Sequence, residues 1–148
     1  MKIAIGSDHG GYAIKEIIKT HLIEAGHEVD DKGCFSLDSV DYPEYGLKVA
    51  KAVASKEADR GVVLCTTGIG ISITANKVKG IRAALCSDVV SARLTREHND
   101  ANVLALAGGM IGPIPAVEIV DTFMNTAFSN MEKHARRIAE IKEIEEEN

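Results

Sequence analysis

Residues 62–77 read VVLCTTGIGISITANK, and the reading of this stretch decides the fold. Its first three residues are apolar, the profile of a buried strand. A cysteine, two threonines and a glycine-spaced turn follow, and beyond that turn two readings compete. Ile69, Ile71, Ile73 and Ala75 alternate with small or polar residues, which in isolation is the two-residue period of a strand. A strand-turn-strand here would be a local hairpin, whereas a helix after the turn makes the segment one unit of a parallel crossover. The rest of the chain selects the helix.

Residues 2–6, KIAIG, form a short β-branched run ended by glycine, and from Tyr12 the period changes to that of a helix. Ile14, Ile17, Ile18, Leu22 and Ala25 fall on one face, and Gly26 supplies the stop. A short polar strand is expected at Glu28 to Asp31. Pro43 then opens a helix burying Leu47, Ala50, Val53 and Ala54, since the fixed φ of proline suits a first turn. GVVLC at 61–65, GIRAAL at 80–85 and NVLALA at 102–107 repeat the strand type. Between the last two lies a helix capped by Ser87 or Asp88, and later comes a helix from Pro115 to about Ala127. Met131, His134, Ala135, Ile138, Ile141 and Ile144 mark a final amphipathic helix over about 130–146, ending in a solvated EEEN tail.

Strands and helices alternating about five times imply a single α/β domain over residues 1–148, a three-layer α/β/α sandwich around a five-stranded parallel, Rossmann-like sheet. In such a sheet ligands sit at the carboxyl ends of the strands. The chain of 148 residues suits one core, and 45% apolar with 26% charged residues is ordinary for a soluble protein. A net charge of −5 argues against nucleic acid as a partner, which needs clustered Lys and Arg. No apolar run approaches a membrane span, and the start lacks the apolar core of a signal peptide. Three cysteines, Cys34, Cys65 and Cys86, form no CxxC pair and suit a reducing compartment, so a cytoplasmic protein is expected.

The strand ends collect Ser7-Asp8-His9, Cys65-Thr66-Thr67 and Cys86-Ser87-Asp88. The first two sets fall on strands expected to be neighbours. Gly10 and Gly11 after His9, and Gly68 and Gly70 after Thr67, let the backbone turn tightly and aim amides inward. A helix starting there adds partial positive charge, making a site for a phosphate or a developing oxyanion.

Several named loops fail against this one. A Cys-x5-Arg phosphatase loop needs arginine where Ile71 stands, and no Gly-Lys-Ser/Thr tripeptide occurs. A dinucleotide fingerprint needs glycine or alanine at Ile73, and a response-regulator phosphoacceptor needs aspartate at Cys65. What is left is a thiol beside an anion-stabilising turn, a combination suited to proton abstraction next to a carbonyl. Thiols at helix N-termini ionise more readily than the ordinary ~8.5 implies, and amides from Thr67 to Ser72 would hold the charge of an enediolate.

Bland readings compete. A cysteine at the end of a buried strand is often an inert small hydrophobe, and Cys34 and Cys86 are read that way. Asp8-His9 also fits a turn with a helix cap, and His21 and His27 fit a helix surface. Asp8, His9 and His98 lack the i, i+4 spacing of a helical zinc site, so no metal is expected. His98-Asn99-Asp100 follows the fourth crossover helix, at the opposite edge of the sheet from Cys65. A five-residue strand spans roughly 16 Å, too far for direct chemistry. A catalytic His98 would therefore work in the crevice of a second copy; otherwise it is a buried loop histidine.

SDHGG at 7–11, DYP at 41–43, CTTGIGISITANK at 65–77, GIRAALC at 80–86 and REHNDANVLALAGG at 96–109 together resemble the type B ribose-5-phosphate isomerases, within the wider family that includes galactose-6-phosphate isomerase subunits. The resemblance covers nearly the whole chain. It implies a metal-free, cofactor-free aldose-ketose isomerase acting on a sugar phosphate, built as a homodimer that pairs in some cases into a tetramer, with the C-terminal helix packed on a partner.

Position by position, it makes Cys65 the base that moves a proton between C1 and C2, gives the anion hole to Thr67 with Gly68, Ile69, Gly70, Ile71 and Ser72, and counts Thr66 among the substrate-binding residues. It makes His98 the ring-opening group and Asp8, His9, Tyr42 and Asn99 contacts of the substrate oxygens. Two departures stand out: Gly109 and Lys133 occupy positions where the family commonly has arginine, while Arg137 is kept. Phosphate is then expected to be held by Lys133, Arg137 and Arg136, less selectively than by a pair of arginine forks. The alternatives are an isomerase of galactose 6-phosphate or of other aldoses, unphosphorylated ones included, and a flavodoxin-like binding protein.

Overall fold

The eight residues Ile69–Asn76 form a helix, entered through Gly68 at φ 74°. Their alternating isoleucines turn out to be two helical stripes. Ile71 and Ala75 are buried, while Ile69 and Ile73, one turn apart on another face, are 53% and 55% exposed. In order, the computed structural model, which describes residues 1–148, runs β1 (Lys2–Ser7), α1 (Tyr12–Glu24), β2 (Glu28–Asp31), α2 (Tyr42–Ala54), β3 (Arg60–Cys65), α3 (Ile69–Asn76), β4 (Ala83–Leu85), α4 (Val89–Asn99), β5 (Val103–Ala107), α5 (Pro113–Asn125) and α6 (Glu132–Glu146).

The five strands form one parallel sheet in the order β2-β1-β3-β5-β4, so β1 and β3 are central neighbours as expected. Successive side chains of a strand point to opposite faces. Ile3, Ile5, Val62, Leu64, Leu104 and Leu106 pack with α1 and α5 on one side. Ala4, Val63, Cys65, Val103 and Ala105 pack with α2 and α3 on the other. Full burial of each large aliphatic chain stabilises by about 1.5–3 kcal/mol, which fixes the register and with it the level of Cys65. No helix is long and apolar enough to cross a membrane.

Several expected boundaries and faces are corrected. Helix α5 begins at Pro113 instead of Pro115 and ends at Asn125; both prolines lie in its first turn, where their missing N–H groups cost nothing. Leu47 is exposed and Ala54 half-buried; α2 buries Ala50 and Val53 as expected and adds Gly46, Val49 and Ala52. Ile17 is 39% exposed and Ala25 lies at the surface, while Lys15 is wholly buried on α1. Asp31 of β2 explains the lysine, meeting its ammonium at 2.8 Å through both carboxylate oxygens. Burial pushes the Asp31 carboxyl up, but Lys15, the Gly33 N–H and Lys19 outweigh it and hold it below the usual range. Of the final amphipathic stripe only His134 is buried, so α6 leaves Ile141 and Ile144 49% and 63% exposed.

Candidate active site

At the carboxyl ends of the central strands three loops meet, and they meet through glycine. A Cβ on Gly11 would lie 2.6 Å from Leu64 Cβ, one on Gly108 2.7 Å from Gly11 Cα, and one on Gly109 2.7 Å from Thr66 Cγ2. Gly10 likewise faces the Thr66 hydroxyl. Any side chain at these places would push the loops apart. The Asp8 carboxylate accepts from the Gly10 and Gly11 amides at 2.9 and 3.2 Å, closing the first loop as an Asx turn. It is 6% exposed. His9 Nδ1 accepts from the Val40 N–H at 3.2 Å, so the neutral ring carries its proton on Nε2 and offers it as a donor.

Cys65 ends β3, paired in register with Ala107 of β5, and is 5% exposed. The next residues make a turn with unspent donors. The Ile69 amide is taken by the Thr67 hydroxyl at 3.2 Å and that of Ser72 by the Gly68 carbonyl at 3.2 Å. Those of Thr67, Gly68, Gly70 and Ile71 donate to no group of the protein. The Ser72 hydroxyl caps Ile69 O at 2.7 Å. Tyr42, the first residue of α2, lays its ring on Gly70, whose added Cβ would lie 2.5 Å from the ring Cζ. Asp8, His9, Tyr42 and residues 65–72 are therefore brought together. A thiol, a row of amides at the positive end of α3 and flanking polar groups can move a proton and hold the negative charge its removal creates.

His98, Asn99, Lys133 and Arg137 are not in that crevice. They line a separate cavity of about 430 Å³ between α4 and α6. The register sets it at the other end of the sheet, for Gly61 pairs with Val103 and Cys65 with Ala107. The two rungs are separated by roughly 13 Å at about 3.3 Å per residue. The His98 ring lies 4.4 Å from that of His134, centre to centre, and His134 Nδ1 bonds the Ser129 hydroxyl at 2.7 Å. Burial, then the charges of His98, Lys133 and Arg137, lower the His134 pKa below its ordinary value. Arg136 does not join them, because its guanidinium pairs with Glu132 on its own helix at 2.8 Å.

The sequence reading did not single out His134. Its only signal was a place on the apolar stripe. Cys34 and Cys86 are buried free thiols, Cys86 among the core aliphatics. His21 bonds Asp121 across α1 and α5 at 2.7 Å.

A parallel sheet with a thiol and an amide-lined turn at the carboxyl ends of its central strands defines an α/β protein of the class that carries its ligand sites there. The model of the ribose/galactose isomerase family matches residues 3–141, and the chain belongs to that family. It is 47% identical to ribose-5-phosphate isomerase B of Escherichia coli over 98% of this chain and 97% of that one. It is 43% identical to galactose-6-phosphate isomerase subunit LacB of Clostridium acetobutylicum, over 97% of this chain and 83% of the relative. The solved structure of Clostridium thermocellum ribose-5-phosphate isomerase B superposes with a TM-score of 0.97 at 54% identity, over 99% of both chains.

Proposed function

We propose that this chain interconverts ribose 5-phosphate and ribulose 5-phosphate, with Cys65 as the base. The observation that carries the proposal is the place of Cys65 at the end of β3, immediately before a turn whose Thr67, Gly68, Gly70 and Ile71 amides are unspent. In the aldose-to-ketose direction the thiolate takes the proton from C2. The electron pair moves into the C1–C2 bond, and the carbonyl oxygen at C1 gains charge that the amides hold. Return of the proton to C1, with transfer of the hydroxyl proton from O2 to O1, leaves the ketose. Asp8, His9 and Tyr42 orient the substrate hydroxyls.

The remaining groups come from a second copy. His98 with Asn99 opens the sugar ring in the partner's crevice, and Lys133 with Arg137 holds the phosphate. The unpartnered Ile69 and Ile73 of α3 and Ile141 and Ile144 of α6 support a homodimer. Gly109 has no side chain to lend to the phosphate grip. With one lysine and one arginine for that task, discrimination against unphosphorylated aldoses is weaker than with two guanidinium forks. The relation to LacB favours six-carbon sugar phosphates as the second substrate class.

The test is isomerisation of ribose 5-phosphate, galactose 6-phosphate and free ribose by the wild type and Cys65→Ala, both in EDTA and both checked for folding. Turnover of ribose 5-phosphate that ignores the chelator and falls about 10²–10⁴-fold in the variant is expected. Unchanged turnover in Cys65→Ala would assign the base elsewhere, and a wild type active only on the other sugars would replace the substrate.

A further inference from the structure

The amino end of the sheet carries a second concentration of positive charge, apart from the residues assigned above. Lys56, Arg60, Arg82 and Arg96 line a cavity of about 410 Å³, with Asp59 and Asp100 as its acids. Four cations thus face two carboxylates in a chain whose net charge is −5.

Each arginine uses only part of its fork as a brace. Arg60 Nη1 donates to the carbonyls of Phe123 and Met124 at 2.7 and 3.2 Å. Arg82 donates from Nε to Asn99 O at 2.8 Å and from Nη2 to Asp100 O at 3.0 Å. Arg96 donates from Nε to Thr126 O at 3.0 Å and from Nη1 to Ala101 O and Asp100 Oδ1 at 2.7 and 2.8 Å. Nε and Nη2 of Arg60, Nη1 of Arg82 and Nη2 of Arg96 donate to nothing in the chain. None of these nitrogens is sealed from solvent, because Ser7 Oγ is the one buried side-chain polar atom lacking a partner. Arg96 is only 4% exposed, so its open nitrogen reaches solvent through the cavity it lines.

The acids are already engaged. Asp59 accepts from the Lys2 N–H at 2.8 Å, and Asp100 from Arg96. Burial, then the charge of Arg96, lowers Arg60 to about 10, a guanidinium that an arriving anion would relieve. Lys56 makes no ion pair and sits at φ 68°, where glycine is the cheaper residue.

We propose that this cavity binds a diphosphate group, at the end of the sheet opposite the amide-lined crevice. Open guanidinium edges match phosphoryl oxygens in pairs. The volume lies toward the small end of ligand sites, suiting two phosphoryl groups. Arg82 and Arg96 also hold the 99–101 turn that follows His98, so an anion drawn to them acts on the segment that positions that histidine.

The experiment is a ¹H–¹⁵N NMR titration with inorganic pyrophosphate, and separately with ADP, at constant ionic strength. Saturable shifts are expected at the Lys56, Arg60 and Asp100 amides and at the Nε–H signals of Arg60 and Arg96. Lys56→Glu should weaken that binding roughly tenfold or more. Lys56→Gly, which relieves the positive φ, should weaken it less and melt no lower than the wild type. Tighter pyrophosphate binding assigns a free diphosphate and tighter ADP binding a nucleotide-borne one. Signals that stay still or never saturate, that move only around residues 67–71, or that respond equally in Lys56→Glu would overturn the proposal.

Discussion

The two ends of the sheet solve the problem of holding charge in opposite ways. At the carboxyl end the work falls to the backbone: amides of the 67–71 turn point outward, glycines let three loops touch, and side chains are few. At the amino end charge is carried by long side chains on α4, α6 and near the strand starts, three of which, Arg60, Arg82 and Arg96, are braced against carbonyls. Backbone amides cannot be neutralised by pH or reoriented without moving a strand, whereas imidazoles and ammonium groups can titrate and swing. The first end suits a charge that appears during a reaction, and the second suits a charge the ligand brings with it. One chain cannot bring His98 to Cys65, so the proposed chemistry requires a second copy.

The largest expected effect comes from mixing two damaged chains. Cys65→Ala and His98→Asn should each be nearly inactive, and after subunit exchange should recover about a quarter of wild-type turnover, since half of random dimers hold one intact site of two. No recovery would place both groups in one chain's site and break the comparison. Gly70→Ala, whose Cβ meets the Tyr42 ring, should lower kcat about 10²-fold with little change in melting temperature. A normal kcat would show that the present seat of the Tyr42 ring on the turn carries no weight in the reaction.

At the other end Lys133→Ala should raise KM for the phosphorylated sugar roughly tenfold while kcat holds. Unchanged KM would reduce Lys133 to a helix-surface residue.

The smallest effect is on stability. His134 titrates below its ordinary 6.5 through burial and then its cationic neighbours. The unfolded chain therefore binds more protons below that pH, and the contribution of neutral His134 is present above 6.5 and lost as pH falls through the folded value. Melting curves across that interval should fall more steeply for the wild type than for His134→Gln, and parallel curves would remove His134 from the balance.

The carboxyl-end site was legible in the sequence because its parts are neighbours along the chain: a strand, a thiol, a glycine turn and a helix in 16 consecutive residues. The sheet was legible for the same reason, its strands being short apolar runs bounded by glycine or polar turns. What could not be read depended on distant partners. Nothing near Lys15 announces that Asp31 will neutralise it inside the fold, and nothing near His134 announces Ser129 and His98 around it. Leu47 looked like core because helical periodicity does not show that a small residue, Gly46, will pack against Ile71 and Thr74 of α3 instead.

The contact between Gly109 and Thr66 bears on how this chain can change over generations. An arginine at 109 would meet Thr66 Cγ2 at 2.7 Å, while the next nearest atoms, Thr66 Cα and O, lie at 3.2 Å. Removing that one methyl, as serine would, leaves only the two 3.2 Å backbone contacts, which a shift of a few tenths of an ångström relieves. The two positions should therefore covary, a side chain at 109 being easier to gain where residue 66 has lost that methyl.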